Sequence, residues 1–284
     1  MKADLHAYGL VSFSKFWKAW QMFPDVNITD EIYKTAKSKE LDLLALTSAT
    51  EETPTGINDR FGYVLNEAQN QGMNIEVRGD NFLIIRESLG PLGILKSSLV
   101  PTIENYKRTD IFILGSYLDF DCQKRRITTK EAISMAKDSN SLVFIKPSGL
   151  FGSRYSIEKY SDSIHGIFLS SEASLTQNKE TIKRLKNLKK RGIVIQAVPV
   201  SGAHIVSGIG DGYINLHGIN VQTDSEEELK NGLKYALRRR NFVPGNIKHA
   251  SSISKLSWGI PFMLIENVRG YLGMNDGYGL RNRE

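Results

Sequence analysis

The residues Ala3-Asp4-Leu5-His6-Ala7-Tyr8-Gly9-Leu10-Val11-Ser12 begin the chain with a short apolar run that carries a histidine and then small residues. Such runs, repeated with helical segments as far as residue 240, indicate an α/β protein built from strand–helix units that close into a barrel. In such barrels the functional side chains lie at the carboxyl ends of the strands. We therefore expect His6 at the barrel mouth, and the functional question is what surrounds it.

Length and composition agree with one barrel domain. The 284 residues are 40% hydrophobic and 24% charged, which is enough to bury a substantial core. We see no apolar run of 18 residues and no secretion leader, so we expect a cytoplasmic protein without a membrane span. The single cysteine, Cys122, excludes an internal disulfide.

Periodicity predicts the order of elements. Helix capping boxes are expected at Thr128 with Glu131 and at Ser225 with Glu228. The glycine-rich segment 208–212 lacks the features of a phosphate loop and is expected to be a flexible loop. Strands are predicted at residues 41–47, 73–78, 82–86, 93–96, 110–115, 142–146, 166–169, 193–200 and 214–221, and helices at 13–23, 55–72, 128–137 and 179–191, from residue 29 and from residue 225.

The alternation ends near residue 243. We expect residues 1–243 to form the barrel and residues 244–284 to form a carboxyl-terminal extension. The apolar segment 256–272 within this extension packs either on the barrel or on a partner, which includes a second copy of the chain in a homo-oligomer.

The net charge of +6 and the pI near 9.2 favour contact with an anion. Basic residues cluster at 124–126, 189–191 and 238–240. The last two clusters fall at predicted helix ends, where cations complement the helix dipole, so a solvated surface explains them. Binding to nucleic acid is the alternative.

Four strand ends together resemble the PHP (polymerase and histidinol phosphatase) family over about residues 2–243. The resemblance rests on the order and spacing of these motifs. They are Asp4-Leu5-His6-Ala7-Tyr8 followed by Ser12, Leu46-Thr47-Ser48-Ala49, Ile145-Lys146-Pro147, and Val200-Ser201-Gly202-Ala203-His204.

The resemblance implies a distorted (β/α)7-type barrel with up to three divalent metal ions that activate water against a phosphoester. This chain departs from the family at most ligand positions. His6 and His204 match, and Asp80 is a candidate substitute for a third ligand. Non-ligand residues stand at other motif positions, namely Tyr8, Ser48, Ala49, Lys146 and Gly202, and Phe112 lies near another.

We therefore expect a largely lost metal site, with His6 and His204 holding at most one ion and no other cofactor. The hypothesis is that the mouth binds an anionic, phosphate-containing ligand or a partner. Lys146 then holds the anion or pairs internally with Asp4 or Asp80. The predicted ligand-binding residues are His6, Tyr8, Ser48, Asp80, Lys146, Ser201 and His204.

Two alternatives stay open at this point. The first is an active phosphoric ester hydrolase with one Zn or Mn ion at His6, Asp80 and His204. The second is a nucleic-acid or polymerase-associated module without catalytic activity that uses the basic clusters. No catalytic residue can be assigned from the sequence.

Overall fold

A computed structural model describes residues 1–11, 28–49, 59–104, 107–116, 127–145, 154–171, 175–222 and 224–249. The strands are β1 (Lys2–Val11), β2 (Leu43–Ala49), β3 (Ile75–Val77), β4 (Phe82–Glu87), β5 (Gly90–Glu104), β6 (Lys107–Leu114), β7 (Leu142–Ile145), β8 (Gly166–Ser170), β9 (Ala197–Val200), β10 (Ala203–Ile205), β11 (Ile214–Leu216) and β12 (Phe242–Pro244). The helices are α1 (Ile28–Ser38), α2 (Arg60–Asn70), α3 (Thr129–Asp138), α4 (Arg154–Lys159), α5 (Leu175–Lys190) and α6 (Glu226–Arg239), with a 3-10 turn at Val206–Gly208.

The strands form a nearly closed, barrel-like sheet rich in parallel pairs. β1, β2 and β5 are parallel neighbours, and so are β7, β8 and β9. β10 follows β9 after two residues and pairs in parallel with β1, which brings the two ends of the sheet together. A mixed α/β fold with a barrel-like sheet therefore agrees with the strand–helix pattern.

Strand β6 runs against both of its neighbours. β6 is antiparallel to both β5 and β7, because β5 and β6 form a long hairpin. The predicted strand at 110–115 exists, but a simple alternation of strand and helix does not reveal its reversed direction. The predicted strand at 214–221 is also shorter than expected, since β11 ends at Leu216 and pairs antiparallel with β1 and β12.

The barrel interior is apolar and shared by many strands. Its buried side chains include Leu5, Ala45, Leu95, Phe112, Phe144, Phe168 and Val198. Helix α6 adds Leu229, Leu233, Ala236 and Leu237 to this same cluster, so it closes one end of the barrel. The ammonium of Lys234 donates to the carbonyl of Asn140, just before β7, so α6 covers the amino end of the strands.

Local sequence signals set the ends of two helices as predicted. Thr128 and Glu131 form a capping box on α3, and Ser225 and Glu228 form one on α6. The other helices pack on the outer faces of the strands. Ile32 of α1 and Phe61 of α2 join the outer faces of β1, β2 and β5 in one buried cluster.

Asp4 joins the first strand to the last part of the barrel. Its carboxylate is fully buried and accepts N–H groups from Ser201 (3.0 Å), Gly210 (2.9 Å) and, at 3.3 Å, His6. Burial raises the pKa of Asp4 to about 6, although these three N–H donors favour the charged form. The closure of the sheet thus depends on a carboxylate that is expensive to bury.

The glycine-rich segment 208–212 is packed against the barrel, contrary to the expectation of a flexible loop. Ile209 is fully buried, and Gly210 donates to Asp4. A Cβ at Gly212 would lie 2.2 Å from the carbonyl oxygen of Val200, so only glycine allows this approach. The segment serves to seat the chain on Asp4.

The predicted boundary near residue 243 lies at the last strand that the structure describes. β12 ends at Pro244, and the backbone N–H of Lys248 donates to the carbonyl of Asp211. Residues 250–284 lie outside the described residues, as do the predicted helix at 13–23 and the basic cluster at 124–126.

Replacing Asp4 with alanine should destabilise the protein at pH 7. The buried N–H groups that lose their acceptor cost about 1–3 kcal/mol each. Removing a carboxylate whose pKa is raised by burial returns roughly 3 kcal/mol. We expect a net loss of about 2 kcal/mol in urea unfolding. The control Asp30→Ala, in an exposed pair with Lys34, should change stability by less than about 0.5 kcal/mol. Equal effects of the two substitutions would contradict a closing role for Asp4.

His165 lies beneath α6 at the amino end of β8. Its Nδ1 accepts the backbone N–H of Val143 (3.0 Å), so the proton is on Nε2, which has no hydrogen-bond partner among the described residues. Burial, with Arg238 and Lys234 nearby, lowers the pKa of His165 to about 4. A charge on this ring would be both desolvated and repelled.

His165 should make folding sensitive to acid. The unfolded chain takes up this proton near pH 6.5, whereas the folded chain does so only near pH 4. The contribution of the neutral His165 ring to the free energy of unfolding is therefore complete above pH 6.5. It is lost as the pH falls towards 4, by up to roughly 3 kcal/mol. His165→Asn keeps an acceptor for Val143. Urea unfolding from pH 7 to 4 should show that the wild type loses more stability on acidification than this variant does. A constant difference would refute this role.

Candidate functional site

An irregularity in β1 directs His6 into the barrel. The register between β1 and β2 shifts between Asp4 and Ala7, which places an extra residue in β1. Leu5 belongs to the inner cluster and Ala7 to the outer one, and the ring of His6 meets residues of the inner cluster. The bulge thus places Leu5 and His6 on the same side of the strand.

The ring of His6 is packed among aromatic side chains. It is 2% exposed, and its Nδ1 lies 2.7 Å from the hydroxyl of Thr47. Its centroid lies 4.7 Å from that of Tyr8, 4.3 Å from Phe112 and 5.5 Å from Phe168, to which it is nearly parallel. Phe112 therefore covers one side of the His6 ring.

Ser48 has a role in holding helix α2. Its fully buried hydroxyl accepts the backbone N–H of Arg60 at 2.9 Å, at the first residue of that helix. The neighbouring carbonyl of Thr47 accepts from Nη1 of Arg60 at 2.8 Å. The carboxyl end of β2 and the amino end of α2 are thereby tied together through one arginine.

Arg60 is a buried cation without an acidic partner among the described residues. The residue is 8% exposed, and its guanidinium lies 4.8 Å from the ring centroid of Tyr8. Its Nε has no hydrogen-bond partner in the part of the chain that the structure describes. Burial lowers the pKa of Arg60 to about 10, and Tyr8 is the group that opposes this shift. The side chain remains charged at neutral pH.

Other buried polar atoms near the carboxyl ends also lack partners among the described residues. The hydroxyl of Ser97 lies on β5 opposite Thr47, and Oδ1 of Asn178 lies on α5. Asn178 is held there by its amide, which donates to the carbonyl of Ser170 at the end of β8. This end of the barrel therefore contains unsatisfied donors and acceptors together with a buried positive charge.

Ser201 forms the opposite wall of the mouth. Its hydroxyl contacts the carbonyl of His6 at 3.2 Å, and its own carbonyl accepts from the hydroxyls of Ser170 and Ser171. A Cβ at Gly202, where φ is +62°, would lie 2.2 Å from the hydroxyl of Ser170. The polar groups of this wall are largely used to close the sheet.

The structure brings some predicted site residues together and separates another. His6, Tyr8, Ser48 and Ser201 lie at one end of the barrel through the contacts above. Asp80 is exposed in the turn before β4, where the next residue, Asn81, is held by Glu226 of α6. Since α6 covers the amino end, Asp80 lies away from His6.

Two predicted residues cannot be placed. Lys146 lies outside the described residues. The backbone of His204 belongs to β10, but its side chain is not among those described. Asp4, Thr47 and Arg60 are the important residues that sequence reasoning did not assign to the site. An Asp59-Arg60 pair that opens a helix shortly after β2 was the available signal for Arg60.

The described residues do not fit a metal cluster. No three His, Cys, Asp or Glu side chains among them form a group that could hold an ion. Nδ1 of His6 is engaged by Thr47, and Phe112 and Phe168 pack on the ring. What this arrangement can do chemically is bind an anion at Arg60, because a buried guanidinium offers directed N–H donors.

Comparison with known proteins gives distant structural neighbours and no relative in sequence. No family model matches the chain, and no curated protein matches it. A solved structure of an amidohydrolase from Chromobacterium violaceum, with bound sulfate and no metal, is similar with a TM-score of 0.41 and 12% identity, covering 72% of this chain and 87% of that chain. None of the described helices is long and apolar enough to cross a membrane.

Metal loading tests the site directly. After equilibration with Zn²⁺ or Mn²⁺ and removal of free metal, we expect elemental analysis to find well under three equivalents per chain, because no three potential ligands come together among the described residues. His6→Ala serves as the matched variant and should leave this content nearly unchanged. Two or three tightly bound ions that are lost in His6→Ala would contradict the interpretation.

Proposed function

We propose that this protein is a PHP-like barrel, of the (β/α)7 type, that binds an anionic, phosphate-containing small molecule at its mouth without a metal cluster. One observation carries the proposal. The guanidinium of Arg60 is buried at the carboxyl end of β2 and has no carboxylate partner among the described residues.

Burial of an unpaired cation is costly. The carbonyl of Thr47 and the ring of Tyr8 compensate for only part of the lost hydration, because neither carries a full negative charge. A bound phosphate would supply that charge and accept from Nε, which has no hydrogen-bond partner among the described residues. Guanidinium groups suit this task because their planar N–H donors match two oxygens of one phosphate.

The proposal rests on the motif resemblance to the PHP family but replaces metal-dependent hydrolysis with anion binding. Positions that hold metal ligands in the PHP family carry Tyr8 and Ser48 here, and positive charge at the mouth comes from Arg60 instead. We retain Lys146, which follows β7 in the sequence, as a proposed second cation for the ligand. The proposal is one of binding, because the buried guanidinium of Arg60 offers directed N–H donors to an anion.

A structural role for Arg60 makes the opposite prediction. In that case the arginine only clamps α2 to β2 through Thr47 and Ser48. Its side chain would then contribute to stability and would not respond to phosphate.

Arg60→Met should separate the two cases. Methionine keeps much of the apolar stem and removes the buried charge, so the melting temperature without ligand should stay nearly unchanged or rise. Phosphate and phenyl phosphate should raise the melting temperature of the wild type, as expected for ligands that bind the folded state, and should not raise that of Arg60→Met.

Arg239→Met is the control, because Arg239 also lies over a tyrosine ring, Tyr235, but at the surface. It should respond to phosphate like the wild type. A wild type that is not stabilised by either ligand, together with a large loss of stability in Arg60→Met, would overturn the anion site and leave the structural clamp.

A further inference from the structure

Helix α5 carries most of the positive charge surplus of the chain. It contains six lysine and arginine residues and one acidic residue, Glu180. The whole chain has a formal net charge of +6, so this one helix accounts for most of the imbalance. The surplus is therefore a local feature of one surface element.

The lysines occupy a single face. Asn178, Thr181 and Leu188 are buried and attach the helix to the barrel. The opposite face is exposed and carries a lysine at almost every turn, since positions 179, 183, 186 and 190 follow the helical period. We call these four residues, Lys179, Lys183, Lys186 and Lys190, the basic stripe.

The basic stripe is not neutralised within the described part of the chain. None of its four lysines has a hydrogen bond or ion pair there, and Arg191, just beyond the helix, is the basic residue that pairs with Glu158. Four lysines on other elements do have acidic partners, in the pairs Lys34–Asp30, Lys39–Asp211, Lys96–Asp59 and Lys230–Glu226. A helix surface that is only solvated could carry acidic residues beside its lysines. Solvation alone therefore does not require four lysines in a row without acidic partners.

The dimensions of the basic stripe suit a regular polyanion. Neighbouring lysines are one helical turn apart, at about 5–6 Å, and the four extend over about 16 Å. Mutual repulsion of four lysines on one face raises their energy in the free protein. A row of phosphates would relieve it.

We propose that the basic stripe of α5 binds the phosphate backbone of double-stranded nucleic acid without reading its sequence. The stripe has no aromatic residue on which unpaired bases could stack, which argues against a single strand. It also lacks the large apolar anchors of membrane-surface helices, since Ile182, 38% exposed, is the only exposed large hydrophobic residue of α5 among those described. This site is separate from the anion site at Arg60.

The test is binding of the full chain to a fluorescent 20-base-pair DNA duplex at several salt concentrations. Contacts to four phosphates predict a slope of log K against log salt of about −3 to −4. The variant Lys179→Gln/Lys183→Gln/Lys186→Gln/Lys190→Gln should weaken binding at low salt at least about tenfold and flatten the slope.

A control with the same charge change removes exposed lysines elsewhere, as Lys34→Gln/Lys130→Gln/Lys137→Gln/Lys248→Gln. It should keep most of the affinity and the slope of the wild type. Equal losses in both variants would overturn the proposal, because net charge alone would explain them. Tighter binding to a single strand, or to phosphatidylglycerol vesicles, than to the duplex would overturn it as well, as would no binding at low salt.

Discussion

The rest of the fold depends on the hydrogen bonds that the buried carboxylate of Asp4 accepts from the backbone. The sheet can close only if the segment after β9 returns to β1, and Asp4 accepts an N–H from both Ser201 and Gly210 at that junction. Backbone N–H groups left unpaired in a buried seam are costly, and one carboxylate satisfies several of them. This arrangement requires a charged group to be buried, and burial raises the pKa of Asp4.

This seam also shapes the mouth. Closure on Asp4 is accompanied by the bulge that turns His6 inward, where Thr47 and the phenylalanines enclose it. Nδ1 of His6 is therefore engaged by Thr47, and the ring packs against the apolar side chains of Phe112 and Phe168. The rings of His6, Phe112 and Phe168 therefore pack together in the inner layer, and a positive charge lies beside them on Arg60, over the ring of Tyr8.

The sequence predicted elements better than their directions. Periodicity and capping boxes located most strands and helices, including α3 and α6, because these signals are local. The reversal of β6 depends on a long hairpin with β5, and nothing in residues 110–115 alone encodes it. Asp80 was grouped with His6 by motif order, whereas the structure places it in a turn held by α6. Arg60 was overlooked because its burial depends on Tyr8, which is distant in the chain.

Solvation distinguishes the two positively charged features of this protein. Arg60 is desolvated, so its interaction with an anion is screened little by salt and requires a ligand that fits the mouth. The lysines of α5 are hydrated and lie on a convex surface, where attraction is weak for each charge and strongly screened. Only repetition along the helix can make such contacts effective. A single buried charge therefore suits a small ligand, and a repeated exposed charge suits a polymer.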